Sequence, residues 1–157
     1  MRQALKEAES ALGRGEVPVG ALVAAPDGTL LAAAHNSPRT LSDPTAHAEI
    51  IALRRAGAAL CNYRLTGCLL VVTVEPCPMC MGAVINARVA CLAYGAADPK
   101  AGAAGSVYDM SADPRLNHRV EVIPGVREEE CRALIQGFFR SRRAANAGSN
   151  GEVPKWS

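Results

Sequence analysis

Two short stretches constrain this chain more than anything else in it: Pro44-Thr45-Ala46-His47-Ala48-Glu49 and, further along, Pro76-Cys77-Pro78-Met79-Cys80. One histidine and a cysteine pair are ligand types that zinc prefers, and three protein ligands rather than four leave a coordination position open for water. Cys77 and Cys80 are three residues apart, so on a helical turn their sulfurs share a face. Pro78 suits the first position of that helix, where its missing N–H costs nothing. Thiols at a helix N-terminus are pushed toward the thiolate, the form that binds metal. His47 and Glu49 are two apart, which in mid-helix would point them roughly 200° away from each other. The pocket therefore has to lie across a helix end, with His47 reaching the ion and Glu49 approaching the water from another side. Two thiolates and a neutral imidazole cancel the charge of a zinc ion. A water there feels less charge than beside three histidines, so Glu49 is needed as its base.

A Cys-x-x-Cys pair alone is common in closed structural zinc sites and in redox pairs, and a lone histidine is usually a satisfied polar residue. No second Cys-x-x-Cys exists here to close an all-cysteine site. The joint order His-x-Glu … Pro-Cys-x-x-Cys resembles the signature of zinc nucleobase deaminases. The reaction that fits is hydrolytic deamination. Zinc-activated water adds to a ring carbon bearing an amino group, and Glu49 passes the proton to the ring nitrogen and then to departing ammonia.

The 157 residues suffice for one domain with a real core, expected over 1–145, with a Gly-, Ser- and Asn-rich flexible tail over 146–157. No run approaches the ~18 apolar residues that a membrane span needs. The first residues, Met1-Arg2-Gln3-Ala4-Leu5-Lys6-Glu7, read as a charged helix rather than a secretory signal, so a cytoplasmic location is expected. A net charge of +2 is too small to announce nucleic-acid binding, which would have to use a local cluster of Lys and Arg. Of six cysteines, two serve as ligands. The reducing compartment leaves Cys61, Cys68, Cys91 and Cys131 as four buried thiols.

Periodicity predicts a helix over residues 1–12 on Leu5, Ala8 and Leu12, ended by Gly13 and Gly15. A hairpin follows, with strands at 17–25 and 29–34 joined by Pro26-Asp27-Gly28. Residues 35–45 read as a loop. Asp43 then reads as an N-cap with Pro44 at the first helical position, opening a helix that runs through Arg55 and stops at Gly57. The continuous apolar run 68–74 predicts a central strand buried on both faces. A helix to Asn86, a strand at 89–94, a Gly- and Ala-rich loop at 95–106 and a strand at 120–123 come next. The last helix, 128–143, carries Cys131, Leu134, Ile135 and Phe138 on one stripe, with acids in its first turn and arginines in its last. This order predicts an α/β fold, a three-layer α/β/α sandwich with a central mixed sheet of about five strands. The site then belongs at the carboxyl edge of that sheet.

Beyond the metal motif, the chain resembles bacterial tRNA-specific adenosine deaminases, within the cytidine deaminase-like superfamily, along nearly its whole length. The matching segments are Gly15-Glu16-Val17-Pro18-Val19-Gly20-Ala21, residues 43–50, Asn62-Tyr63-Arg64-Leu65, residues 75–80, residues 98–106, Asn117-His118-Arg119-Val120-Glu121 and residues 138–143. The block Gly102-Ala103-Ala104-Gly105-Ser106, the run 117–121 and the Phe138-Phe139-Arg140 ending are more particular to the tRNA branch. The resemblance implies a homodimer with one Zn2+ per subunit that converts the wobble adenosine of a tRNA anticodon stem-loop to inosine. It implies His47, Cys77 and Cys80 as zinc ligands and Glu49 as proton shuttle. Asn36 is similar to an asparagine that bonds the purine, and Asp98 to an aspartate of the loop backbone. Ala48 is a further expected substrate contact, and Phe139 and Arg142 are expected to face an anticodon loop, with helix capping as the plain alternative for the arginines.

Asn36 has turn-forming as its plain alternative, and so does Asp98 before Pro99. His118 reads as structural, because the metal set is complete without it. Phe138 reads as a core residue. The chain begins slightly late and has a short, nearly uncharged tail relative to the family, which bears on RNA affinity rather than on chemistry. Two rival readings remain. A free-base or nucleoside deaminase for guanine or cytosine would share all four site residues, but would need neither the 98–106 loop nor the arginine-ended helix. A zinc-stabilised binding module would have no use for Glu49.

Overall fold

In the computed structural model, which describes residues 1–148, the apolar run ending at Val74 forms the middle strand of a five-stranded mixed sheet. The elements are α1 (Arg2–Gly13), β1 (Gly20–Ala24), β2 (Leu30–His35), α2 (Pro38–Leu41), α3 (Ala48–Leu60), β3 (Leu69–Val74), α4 (Pro78–Asn86), β4 (Cys91–Ala96), β5 (Glu121–Ile123) and α5 (Glu128–Gly148). The strand order is β2-β1-β3-β4-β5, with β1 antiparallel to β2 and β3, and β3, β4 and β5 parallel. Gly20 pairs with His35, Ala21 with Val72, and Val74 with Ala96. The carboxyl ends of β2, β3 and β4 thus lie at one edge of the sheet.

Alternation along the strands divides the helices between two faces. Ala21 and Val23 of β1, Ala32 and Ala34 of β2, and Leu70 and Val72 of β3 join the core cluster with Ala48, Ala52 and Ala56 of α3 and Val84 and Ile85 of α4. Full burial of side chains such as Leu70 and Leu92 contributes about 1.5–3 kcal/mol each. The other face carries α1 and α5. A Cβ at Gly20 would meet the Ala4 carbonyl oxygen and the Ala8 nitrogen of α1, and one at Gly95 would meet the Cys131 sulfur of α5. The approach of α1 is so close that Ala4, Ala8 and Ala11 are its buried residues, whereas Leu12, expected on the buried stripe, is exposed.

The hairpin forms as expected around Gly28, whose φ of +86° a residue with a side chain rarely adopts. Three boundaries differ from expectation. The segment 35–45 is not all loop, since His35 still belongs to β2 and residues 38–41 make one helical turn. The next helix begins at Ala48, not at Pro44, and Asp43 instead accepts from the Thr45 N–H and hydroxyl at 2.8 and 2.7 Å in a local turn. It also runs through Gly57 to Leu60 and is capped by Cys61, whose φ is +50°. That position places Cys61 on the surface, and Cys91 is only half-buried, so two of the four expected buried thiols, Cys68 and Cys131, are inside. α5 continues past Arg143 to Gly148; of the tail expected at 146–157, the part beyond Gly148 lies outside the described residues.

Candidate active site

His47 and Cys77 each stand immediately before a helix with extended backbone, at φ −70°, ψ 151° and φ −73°, ψ 172°. Neither side chain caps its own helix. They turn toward each other instead, with Cys77 Sγ 3.8 Å from His47 Nδ1. Cys80, one turn into α4 and fully buried, places its Sγ 3.5 Å from the same nitrogen. The three ligand atoms lie within 4.8 Å of one another. Tetrahedral bonds from zinc to an imidazole nitrogen and a thiolate sulfur set those two atoms about 3.6 Å apart, so both donor types and spacing fit the ion.

Glu49 sits in the first turn of α3, only 4% exposed, beside His47 and Cys80. Burial raises its pKa, against its own backbone N–H, the neighbouring His47 and Cys80. The thiols form a coupled pair. The hydrogen bond from Cys80 holds Cys77 down to about 4, with help from His47 against burial. The same bond, together with burial and the Glu49 charge, drives Cys80 well above the ordinary thiol range. His47 is raised by its bond with Cys77 and by Glu49, against desolvation.

Asn36 holds this arrangement in register. Its Oδ1 accepts from the Ala48 N–H at 2.9 Å, satisfying one of the first-turn donors that α3 cannot satisfy internally. The end of β2 is thereby tied to the helix that carries His47 and Glu49. With the oxygen committed, the NH2 group is the half of Asn36 that can meet a ligand. Ala48 is fully buried, and its N–H serves that cap. Asp98 closes a turn, its Oδ1 accepting from the Lys100 N–H at 2.9 Å and its carbonyl from the Gly102 N–H at 2.9 Å. Phe139 is exposed on α5, and Arg142 lies 5.7 Å from the centre of the half-buried Phe138 ring, which is therefore not a core residue. α5 occupies the opposite sheet face from α3 and α4, so neither Phe139 nor Arg142 joins the ligand cluster. His118 donates or accepts nothing at the site; its Nε2–H donates to the Val89 carbonyl at 2.7 Å.

Two buried carboxylates at this edge carry roles that the sequence did not assign. Glu16 accepts from the Thr40 N–H and hydroxyl at 2.7 and 2.8 Å, anchoring α2. Burial pushes its pKa up, but the bonds from Thr40 and Arg39 together outweigh that and hold it low. Glu75, at the end of β3, collects donors from the 98–106 loop. The available signal was positional: a carboxylate that closes an apolar buried strand has to find donors.

A sheet of this order, with two helix starts converging on one histidine and two cysteines, defines the deaminase class of zinc-type sites. The MafB19-like deaminase family matches residues 1–143, and the chain belongs to it. It is 45% identical over 143 residues to a tRNA-specific adenosine deaminase of Bacillus subtilis (strain 168), covering 91% of this chain and 88% of that protein. A structure from studies of A-to-I editing by tRNA A34 deaminases superposes with a TM-score of 0.82 at 45% identity, covering 85% of this chain and 96% of that one. A guanine deaminase from Nitrosomonas europaea superposes with a TM-score of 0.75 at 26% identity, covering 86% and 80%.

Proposed function

We propose that this chain is a zinc-dependent hydrolase that converts adenosine to inosine at the wobble position of a tRNA anticodon, with one Zn2+ per subunit. The observation that carries the chemistry is the His47, Cys77 and Cys80 cluster with the buried Glu49 carboxyl group against it. The substrate follows from the 45% identity over nearly the whole chain to a tRNA-specific adenosine deaminase.

Zinc bound by His47, Cys77 and Cys80 would supply a Lewis acid that activates a water for attack. Glu49 takes the proton from the attacking water and delivers it to the purine N1. A second transfer through the same carboxylate lets the 6-amino group leave as ammonia, and the water oxygen stays on C6. The low exposure of Glu49 suits this, because burial raises the pKa of its carboxyl group and so favours taking up the proton that it passes on. The Asn36 NH2 group, held by the Ala48 N–H, and the Asp98 loop orient the base. Phe139 and Arg142 meet the RNA beyond the pocket.

The chain works as a homodimer in this reading. An open groove of about 860 Å³ between α3 and α4 is lined by Ile50, Leu53, Tyr63 and Met79 and continues to Thr45 and Pro78 beside the ligands. A second copy seated there would border both pockets. Six free cysteines and an RNA substrate support a cytoplasmic location.

The test incubates zinc-loaded protein with an anticodon stem-loop bearing adenosine at the wobble position and, separately, with guanine, adenosine and cytidine. Inosine in the stem-loop alone is the expected result. Ammonia from a free base or nucleoside alone would replace this reading with a small-molecule deaminase.

A further inference from the structure

We propose that Glu75 is a positioning residue that fixes the 98–106 loop against the catalytic edge and so sets the affinity for RNA, an inference that rests on the RNA-deaminase reading. Glu75 is 3% exposed and takes no part in the ligand cluster. Its Oε1 accepts from the Ala104 and Ser106 N–H groups, each at 3.0 Å. Its Oε2 accepts from the Asp98 N–H at 3.0 Å and from the Ser106 hydroxyl. One carboxylate thus gathers the first and last residues of the loop, and its partners are three backbone N–H groups and a hydroxyl, with no cation among them.

The loop closes tightly on this group. A Cβ at Gly102 would collide with the Glu75 carboxyl carbon and Oε2, and would lie 2.6 Å from the Asp98 carbonyl oxygen. The Ala103 N–H donates to the Pro76 carbonyl at 2.9 Å, one residue before Cys77. The strand end that delivers the first cysteine therefore also sets where the loop stands. Both jobs fall to the sequence Glu75-Pro76-Cys77. A loop without this anchor loses its conformational entropy only when substrate binds, and affinity falls by that cost.

A glutamine of the same shape tests the idea. One of its two terminal atoms is an NH2 that cannot accept. Placed at Oε1 it faces two backbone N–H groups, and placed at Oε2 it faces the Asp98 N–H. Either orientation sets donor against donor, and the loop has to move.

The experiment measures zinc content, kcat and KM on the anticodon stem-loop for wild type, Glu75→Gln, Ser106→Ala and the double variant. Glu75→Gln should raise KM about tenfold, the equivalent of one hydrogen bond to a charged group. Zinc per chain should stay as in wild type, and kcat should change far less than KM. Ser106→Ala should raise KM in the same sense by a smaller factor, and should add nothing in the Glu75→Gln background. A Glu75 that served only stability would lower the melting temperature and leave KM alone. Unchanged KM in a folded, zinc-loaded Glu75→Gln overturns the proposal. Should that variant fail to fold, unchanged KM in Ser106→Ala overturns it instead. A wild type inactive on the stem-loop would overturn the RNA reading itself; a wild type that acts, with variants that match it, overturns the role of Glu75 alone.

Discussion

Cys77 is shifted down and Cys80 up, each by the other, and these opposed shifts bear on how the site takes up metal. Ligands must be deprotonated, so every group that still holds a proton in the free site makes affinity climb with pH. Cys77, held at about 4, has none left to lose at pH 7. Cys80, driven above the ordinary thiol range, retains its proton at neutral pH, and the upward shift of His47 favours its protonated form. Zinc binding should therefore release the Cys80 proton plus the fraction on His47, and tighten as pH rises. Calorimetric titration in buffers of different ionisation enthalpy measures this; uptake without proton release would contradict it. Glu49 makes the complementary prediction. Glu49→Gln should keep zinc per chain at the wild-type level by elemental analysis while turnover falls by about 10²–10⁴, the range for removing a general acid-base group. Metal loss in that variant would reassign Glu49 from chemistry to structure.

The helix starts explain where these residues stand. Removing the Asn36 cap by Asn36→Ala leaves the Ala48 N–H buried without its partner, at a cost of about 1 kcal/mol. A lower midpoint in denaturant with an unchanged slope is the expected outcome. At the other end of α3, Cys61 holds φ +50°, a conformation that costs a residue with a side chain about 1–2 kcal/mol, so Cys61→Gly should raise the midpoint. The α4 start was legible in the sequence because Pro78 at the first helical position and the three-residue cysteine spacing are local features. The α3 start was not. Asp43-Pro44 offers a good local beginning, but the site needs extended backbone at His47 so that the ring reaches two sulfurs, and the long-range demand wins. Gly57 misled in the same way, since a glycine inside a helix costs only about 1 kcal/mol and packing offsets it. The leucine spacing of α1 indicated the helix but not its buried side, which is set by the bare backbone of Gly20 across the interface. Glu75 was invisible as a functional residue because its donors come from a loop far along the chain.

Across the whole molecule, chain topology gathers the chemistry at one place. β2 ends in Asn36, β3 in Glu75 and Cys77, and β4 in the loop that Glu75 holds, all at one sheet edge. Glu16, Glu49 and Glu75 are buried there in distinct settings: one anchors α2, one stands beside the ligand cluster as the proposed proton shuttle, and one anchors the 98–106 loop. Among the described residues no helix is long and apolar enough to cross a membrane. Electrostatics toward RNA then rest on local clusters, because the net charge is only +2. Arg140, Arg142 and Arg143 are exposed in the second half of α5, ahead of the last turn where the sequence predicts them, because the helix runs on to Gly148. Changing all three to Ala should weaken stem-loop binding and flatten its dependence on salt, since each phosphate left without its cation lowers the slope by about one unit. Unchanged binding across a salt series would confine those arginines to the helix. The proposed catalysis requires a three-ligand zinc site with room for water. X-ray absorption at the zinc edge of the loaded protein tests that requirement most directly. The expected coordination is two sulfurs, one imidazole nitrogen and one oxygen from solvent. Coordination completed by a fourth protein ligand, whether a third sulfur, a second imidazole or the Glu49 carboxylate, would contradict it.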